Sequence, residues 1–301
     1  MKNSDFIKMT TLGVYSIAFP VENIRQTLDE AVLEDCQNVK YEILKNPMTG
    51  KKIHELDDGI FFSIRAEFKQ VTPALLATKS YEIKLRDENT SEGDVELLAL
   101  SELYQLLPPS SEIYNVFYDT STQLLMMNNN SKRAKLALSQ LVKVFGSIGV
   151  KSIIVSEEKL GLTEKLTQFL QHNTPLFSGL YFENEATLKR SNIDEKAYLS
   201  CKHLNTERGK EKARKALDEG FEVQSLKISY LNNKFKIDSD LNIRSMYWSE
   251  FNRTARRLNG DEAAKPWIFD DYINQQFEAL QRITKFTILE FTEGTKLEEF
   301  L

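Results

Sequence analysis

Side chains able to do acid–base or metal chemistry are scattered along this chain. Carboxylates pair at Asp57-Asp58, at Asp238 and Asp240, and at Asp270-Asp271, and Glu157-Glu158-Lys159 follows an apolar segment somewhat as a metal-dependent nuclease requires. Two-metal chemistry needs several converging carboxylates, and no second element matches this one. Solvated turns, and helix N-terminal charge at Asp270-Asp271, account for these acids. His54, His172 and His203 stand alone, outside HExxH or any comparable ligand pair. The chain has no GxxxxGK[ST] or GxGxxG loop to cradle phosphate and no GxSxG elbow to present a nucleophile. The residue pattern argues for no enzyme and calls for no cofactor or metal.

Cations are arranged more tellingly than acids. In the segment Ser131–Phe145, Ala134, Ala137, Leu138, Leu141 and Phe145 share one helical face, while Lys132, Lys135 and Lys143 fall opposite with Arg133 at the margin. The densest positive run is Lys202 to Lys215, with six basic and two acidic residues. With Thr206 as cap, Arg208, Lys212 and Lys215 form an i, i+4, i+7 row along one flank. Arg253, Arg256 and Arg257 make a third group. Phosphate contacts tolerate loose spacing, so these rows fit sequence-independent nucleic-acid binding as well as solvated helix faces. Asp87–Glu102 is a purely acidic stretch, so opposite charges are separated along the sequence. Aromatic residues interleave poorly with the basic clusters, which favours contact with a duplex backbone over stacking on single-stranded bases.

These groups need a folded frame, and the composition supplies one. The chain has 301 residues, 41% of them apolar, and a net charge of −5, which excludes disorder and permits two domains or one elaborate one. Cys36 and Cys201 are far apart and outside any CxxC, so neither a disulfide framework nor a zinc site is supported, and free thiols suit a reducing cytoplasm. No apolar run reaches the length of a membrane span, and charge precedes any apolar run at the N-terminus, so neither a membrane anchor nor a signal peptide is expected.

Alternation predicts strands at 8–19, Val39–Leu44, Gly59–Phe68, Ile113–Asp119, Gln123–Asn128, Lys151–Val155, Leu180–Glu185, Ala197–His203, Val223–Tyr230, Lys234–Ile237 and Leu241–Trp248. Helical spacing predicts helices after Ile24, two between Pro73 and Leu107, then Ser131–Phe145, Thr163–Gln171, Thr206–Glu219 and one from about Asp270. The mixture is α+β, with strand pairs that need not be parallel.

At these segments the sequence resembles the bacterial recombination-associated RdgC family. Leu103-Tyr-Gln-Leu-Leu-Pro108 is similar to its helix-ending Leu-Leu-Pro box, and Asp119-Thr-Ser-Thr-Gln-Leu-Leu-Met-Met to the strand–turn–strand that follows. Ser131-Lys-Arg-Ala and the rest of that helix resemble the family's basic helix. Lys202-His-Leu, the Thr206–Gly220 helix and Val223–Ile228 resemble a later succession.

The resemblance implies a non-enzymatic binder of double-stranded DNA with a horseshoe-shaped α+β subunit. Two subunits pair at both ends into a homodimeric ring around DNA, restraining RecA-type recombinase filaments, in the cytoplasm at the nucleoid. It divides the chain into a central α+β domain (1–72 and 110–175), a projecting helical hairpin (73–109) and a C-terminal base domain (176–301). Lys132, Arg133 and Lys143 match the family's basic helix and join Lys202, Arg208, Lys212 and Lys215 as expected phosphate contacts. Lys202 and His203 match a pair beside one dimer contact. The loop of the other contact is shorter here and begins Pro109-Ser-Ser111, so that Ser111 and Tyr114 are expected at this contact with Tyr114 in place of the family's aromatic residue. The acidic hairpin departs from the family's often lysine-rich segment, and it supports a second reading in which the same fold binds a protein partner as an inhibitor or DNA mimic.

Overall fold

Period-two runs of Val, Ile, Phe and Tyr become strands, and segments with helical apolar spacing become the helices that cover them. The chain is described from a computed structural model over residues 3–7, 9–16, 23–36, 38–145, 151–152, 161–177, 179–191, 196–238, 242–247, 252–259 and 266–291. After a 3-10 turn (Asn3–Phe6), the first half comprises β1 (Thr11–Ser16), α1 (Ile24–Glu30), β2 (Val39–Leu44), β3 (Ile53–Leu56), β4 (Gly59–Phe68), α2 (Pro73–Arg86), α3 (Glu92–Leu106), β5 (Ser110–Asp119), β6 (Leu124–Met127), α4 (Lys132–Val144) and β7 (Lys151–Ser152). The second half comprises α5 (Gly161–His172), β8 (Tyr181–Ser191), β9 (Lys196–Cys201), α6 (Glu207–Asp218), β10 (Glu222–Tyr230), β11 (Asn233–Asp238), β12 (Ile243–Tyr247), α7 (Asn252–Asn259) and α8 (Pro266–Phe291).

The strands form one sheet in the order β2-β4-β5-β6-β1-β12-β11-β10-β8-β9, with β3 on β4 and β7 on β1, and every pairing is antiparallel. β1 is the join: Gly13–Ser16 pair with β6, while Thr11 and Leu12 pair with β12. Because side chains alternate across a strand, this join carries two distinct sides through the whole sheet. On the first side, Leu12, Val14, Phe61, Phe117, Met126, Leu226, Ile237 and Ile243 form one core with α5, α6 and α8. On the second, Tyr15, Ile64, Tyr114, Val116, Leu125 and Met127 are covered by α1 and α4. Among the described residues no helix of that second core lies over β8–β12, and the outward positions of these strands carry charged and polar residues.

α8 ties the halves together. Phe269 and Phe277 pack on Phe61 and Phe117 with ring centroids 5.8 Å apart in each pair, and farther along Phe286 meets Tyr230 at 5.6 Å. Gly59 is required by this contact, since a Cβ there would stand 2.5 Å from the Phe277 ring. His54 on β3 is buried between Phe61 and Phe269. Its Nδ1 lies 3.1 Å from Asp270 Oδ1 and its Nε2 3.2 Å from Thr49 Oγ1.

The predicted α+β class and most predicted elements are present. The differences are β3 and α7, which alternation and helical spacing did not mark, and the limits of the domains. α5, placed by sequence in the central unit, packs on β10 and α6 instead, while α8, placed in the base, returns across β4–β6. A stripe of Leu162, Leu166 and Leu170 states that a helix is covered but not by which strands. Parts of the expected strands at 8–19, Lys151–Val155 and Leu241–Trp248, with Glu157-Glu158-Lys159 and Asp240, lie outside the described residues. The helical hairpin is capped by Thr72, which accepts from the Leu75 amide ahead of Pro73, and by Ser91, which accepts from that of Asp94. Its small core of Ile83, Val95 and Ala99 is separate from the other two.

Two predictions follow from α8. Phe277→Ala removes a ring that is 3% exposed, and urea denaturation is expected to show a loss of about 3–5 kcal/mol. Burial pushes the His54 imidazole below its ordinary value, against the opposing pull of Asp270. The unfolded chain therefore binds a proton that the folded chain does not once pH falls below about 6.5, so stability declines from there toward the folded-state pKa. Urea midpoints measured across that range should show the decline in the native chain. His54→Gln should be less stable overall but lack this part of the slope.

Candidate nucleic-acid interface

The uncovered side of β8–β12 is built from the outward positions of five adjacent strands. Register places Arg244 on β12 across from Lys236 on β11, Lys236 across from Lys227 on β10, and Lys227 across from Glu185 on β8. Lys202, one residue beyond the Cys201–Ala186 pair, continues the line past β9. With strands about 4.8 Å apart, this row of four cations and one carboxylate crosses about 19 Å of sheet. Its middle is concave: Lys202, Lys227 and Lys236 line a hollow of about 200 Å³ with Glu185 and the hydroxyl residues Thr187, Ser200 and Ser225.

Ion pairs on the face sort its charges. Lys227 meets Glu185 at 3.0 Å, Lys234 meets Glu183 at 2.9 Å and Arg244 meets Asp238 at 3.2 Å. The Lys234 hydrogen bond holds the Glu183 carboxyl below its usual value. Glu222 stands across from Lys189 at the rim. Lys196, Lys202 and Lys236 are exposed and make no ion pair among the described residues. Cations thus outnumber carboxylates on this face, and Lys196, Lys202 and Lys236 leave it net positive.

Tyrosines share the surface. Tyr247 stands across from Lys234, Lys234 from Ser229, and Ser229 from Tyr181, a second row parallel to the first and about 7 Å from it. Tyr181 is 65%, Tyr247 59% and Tyr198 58% exposed. The linear sequence scatters these aromatics away from the basic clusters; pairing brings Tyr247 beside Lys234 and Tyr198 beside Lys189, lysines outside those clusters.

The expected contact residues divide. Lys202 belongs to the cationic row. Lys212 donates to the Ser200 carbonyl at 3.3 Å, along the free edge of β9, with Arg208 and Lys215 exposed on the same flank of α6. Thr206 caps that helix and donates to the His203 carbonyl, against which only a glycine fits at position 209. Lys210 and Arg214, from the same basic run, turn inward to Asn173 and the Leu170 carbonyl of the α5 region.

On α4, Lys132 is exposed, whereas Lys143 pairs with Glu34 at 3.0 Å. Arg133 is held by Glu112 at 2.6 Å and lies 3.7 Å over the Phe68 ring. Burial works against the Glu112 carboxylate, yet hydrogen bonds from Arg133 and Tyr114 hold it below the usual carboxylate value. Arg133 is therefore a structural clamp between α4, β4 and β5, and not the free phosphate contact expected.

Of the residues expected at dimer contacts, Lys202, His203 and Ser111 are exposed, but Tyr114 is fully buried and donates to Glu112 at 2.7 Å. It packs inward because its position on β5 faces the α4 side of the sheet, so it cannot replace an interface aromatic. The acids of the hairpin are partly occupied locally: Glu102 meets Lys79 and Arg86, Glu92 meets Lys84, and Asp87 closes the turn to Asn89 and Thr90. Sequence reasoning missed Lys227, Lys236 and Arg244, which alternate singly with apolar residues in strands and form no visible cluster.

The fold and this face define an α+β protein in which one antiparallel sheet is covered throughout on one side and leaves half of the other bare and cationic. A family model described as "Putative exonuclease, RdgC" matches residues 11–268, and the chain belongs to the RdgC family. Membership supports a recombination-related role. No curated protein matches the chain. Among the described residues no three His, Cys, Asp or Glu side chains gather as a metal-ligand set, and no helix is long and apolar enough to cross a membrane.

Arg133→Gln leaves Glu112 half-buried without its charge partner, and the loss of this clamp should lower stability by about 1–2 kcal/mol in urea denaturation.

Proposed function

We propose that this protein binds double-stranded DNA without sequence preference along the open face of its sheet. It acts as a homodimer that closes around the duplex and, by occupying DNA, restrains RecA-type recombinase filaments. The single observation that carries the reading is the row Arg244, Lys236, Lys227 and Lys202, broken only by Glu185, on a bare sheet surface. Cations spaced at the strand interval suit phosphates and read no base edges. A net charge of −5 is compatible with DNA affinity when one surface collects the unpaired lysines.

Self-association is supported by the hairpin, which exposes Tyr81 and Leu85 on one face of α2 and Leu97 and Leu106 on α3. The role is binding, not cleavage: backbone contact needs no nucleophile or metal, and a shielded duplex is denied to a competing filament.

The test is a salt titration of binding to a random-sequence duplex of about 30 base pairs, with the mass of the complex read by light scattering. Steeply salt-dependent binding by two subunits is expected, with the DNA intact after incubation with magnesium. Lys202→Ala and Lys236→Ala should each weaken binding and reduce the salt slope by roughly 0.9. Absence of binding at low salt, or slopes unmoved by both substitutions, overturns the reading.

A further inference from the structure

The hairpin presents a surface opposite in charge to the open face. Residues 73–107 carry seven carboxylates against three cations, and the excess gathers at the tip, where α2 ends at Arg86 and α3 begins at Glu92. The turn between them is fixed: Asp87 accepts from the Asn89 amide and the Thr90 hydroxyl, and Ser91 caps α3. Glu88 and Glu96 are exposed and make no ion pair among the described residues. Glu92 and Glu96 stand one turn apart on α3, a like-charge spacing that weakens a helix, and Lys84 reaches only the first of them.

The open face has the complementary form. Its hollow of about 200 Å³ gathers Lys202, Lys227 and Lys236 with the hydroxyls of Thr187, Ser200 and Ser225, all of them able to donate to carboxylate oxygens. Lys202 and Lys236 make no ion pair among the described residues. The hairpin tip is a projection with a core of its own. Two packed helices are about 20 Å across, close to the span of the cationic row. No ion pair among the described residues joins the hairpin to the open face of its own chain, which leaves the tip carboxylates for another copy.

We propose that the open face of β8–β12 is a docking site for the acidic hairpin tip of a second copy of this chain, with Glu88 and Glu96 set against Lys202 and Lys236. The contact is tip on face, and so differs from the apolar hairpin contact that supports self-association above. It shields the cationic row when no polyanion is bound. As a competitor of DNA it rests on the reading of the face as a DNA surface; as a contact between copies it rests on charge and shape alone.

A water-soluble carbodiimide joins a carboxylate directly to a neighbouring amine. Applied at low salt to equal parts of isotopically labelled and unlabelled full-length chain, it is expected to couple Glu88 or Glu96 to Lys202 or Lys236 in peptides of mixed label, and to lose these products at high salt. Sedimentation gives the second readout. A chain carrying Glu88→Lys and Glu96→Lys, and another carrying Lys202→Glu and Lys236→Glu, should each lose the salt-sensitive part of self-association by about fivefold or more. Mixing the two variants should restore it, because the acidic tip of one then meets the native lysines of the other. All four side chains are exposed, and circular dichroism checks each fold; if a variant misfolds, coupling in the native chain carries the test. Products of single label only, coupling indifferent to salt, or a mixture no better associated than its parts overturns the docking site. A saturating duplex of about 30 base pairs should suppress the coupling. Coupling that survives duplex binding overturns the competition and leaves the contact, whereas a native chain that couples without binding duplex removes the DNA reading alone.

Discussion

The register of β1 sets everything else in this molecule. Four of its residues pair with β6 and two with β12, and the apolar side chains Leu12 and Val14 fall on one side while Tyr15 falls on the other. A slip of one residue would exchange the sides. It would turn Leu12 away from Ile243 and break the core that α5, α6 and α8 share. Because the sides are continuous through this join, the helices of the first side close over both halves. α1 and α4 close the second side over one half alone. The bare face is thus a consequence of topology, and the composition of β8–β12 is adapted to it: apolar residues inward, lysine, serine and tyrosine outward.

Electrostatics on that face follows from which cations find partners nearby. Lys227 and Arg244 each face a carboxylate on an adjoining strand, Lys234 reaches past β10 to Glu183 on β8, and such surface pairs contribute little to stability. Their effect is to fix side-chain positions and to cancel charge locally. Lys196, Lys202 and Lys236 stay uncancelled, and they outweigh the rim carboxylate Glu222 in deciding the sign of the surface. On α4 the same rule gives the opposite outcome, since Arg133 and Lys143 are both committed to glutamates. Counting basic residues therefore overstates one surface and understates the other.

Much of the fold was legible because strands and helices announce themselves by period. The Lys132–Val144 helix, the paired helices from Pro73 to Leu106 and most strands fall close to where alternation and capping put them. The site was legible only where cations lie next to one another in sequence, at Lys202 to Lys215. In β10 and β11, Lys227 and Lys236 are separated from other cations by the apolar residues that make the strand, and register alone brings them together. Tyr247 is harder still, because an irregularity at Ser245 reverses the parity that alternation assumes. Tyr114 shows the converse: beside an expected interface loop in sequence, it is carried into the core by the facing of β5. Pairing register and bulges depend on the whole sheet and leave no local signature.

The cations at β9 have a structural use that explains how a cationic face arises here. Among the described residues β9 ends the sheet order and its outer backbone groups have no strand partner, and unprotected edges invite pairing with another chain. Lys212 takes the Ser200 carbonyl on that edge, and Lys196 and Lys202 flank it. Lysines are effective guards because each keeps a charge in water while its stem covers backbone. Bringing such guards next to Lys227, Lys236 and Arg244 gives the positive row at little further structural cost. Positive charge that guards a strand edge also gives the adjoining surface a positive field, so edge protection and the cationic row draw on the same side chains.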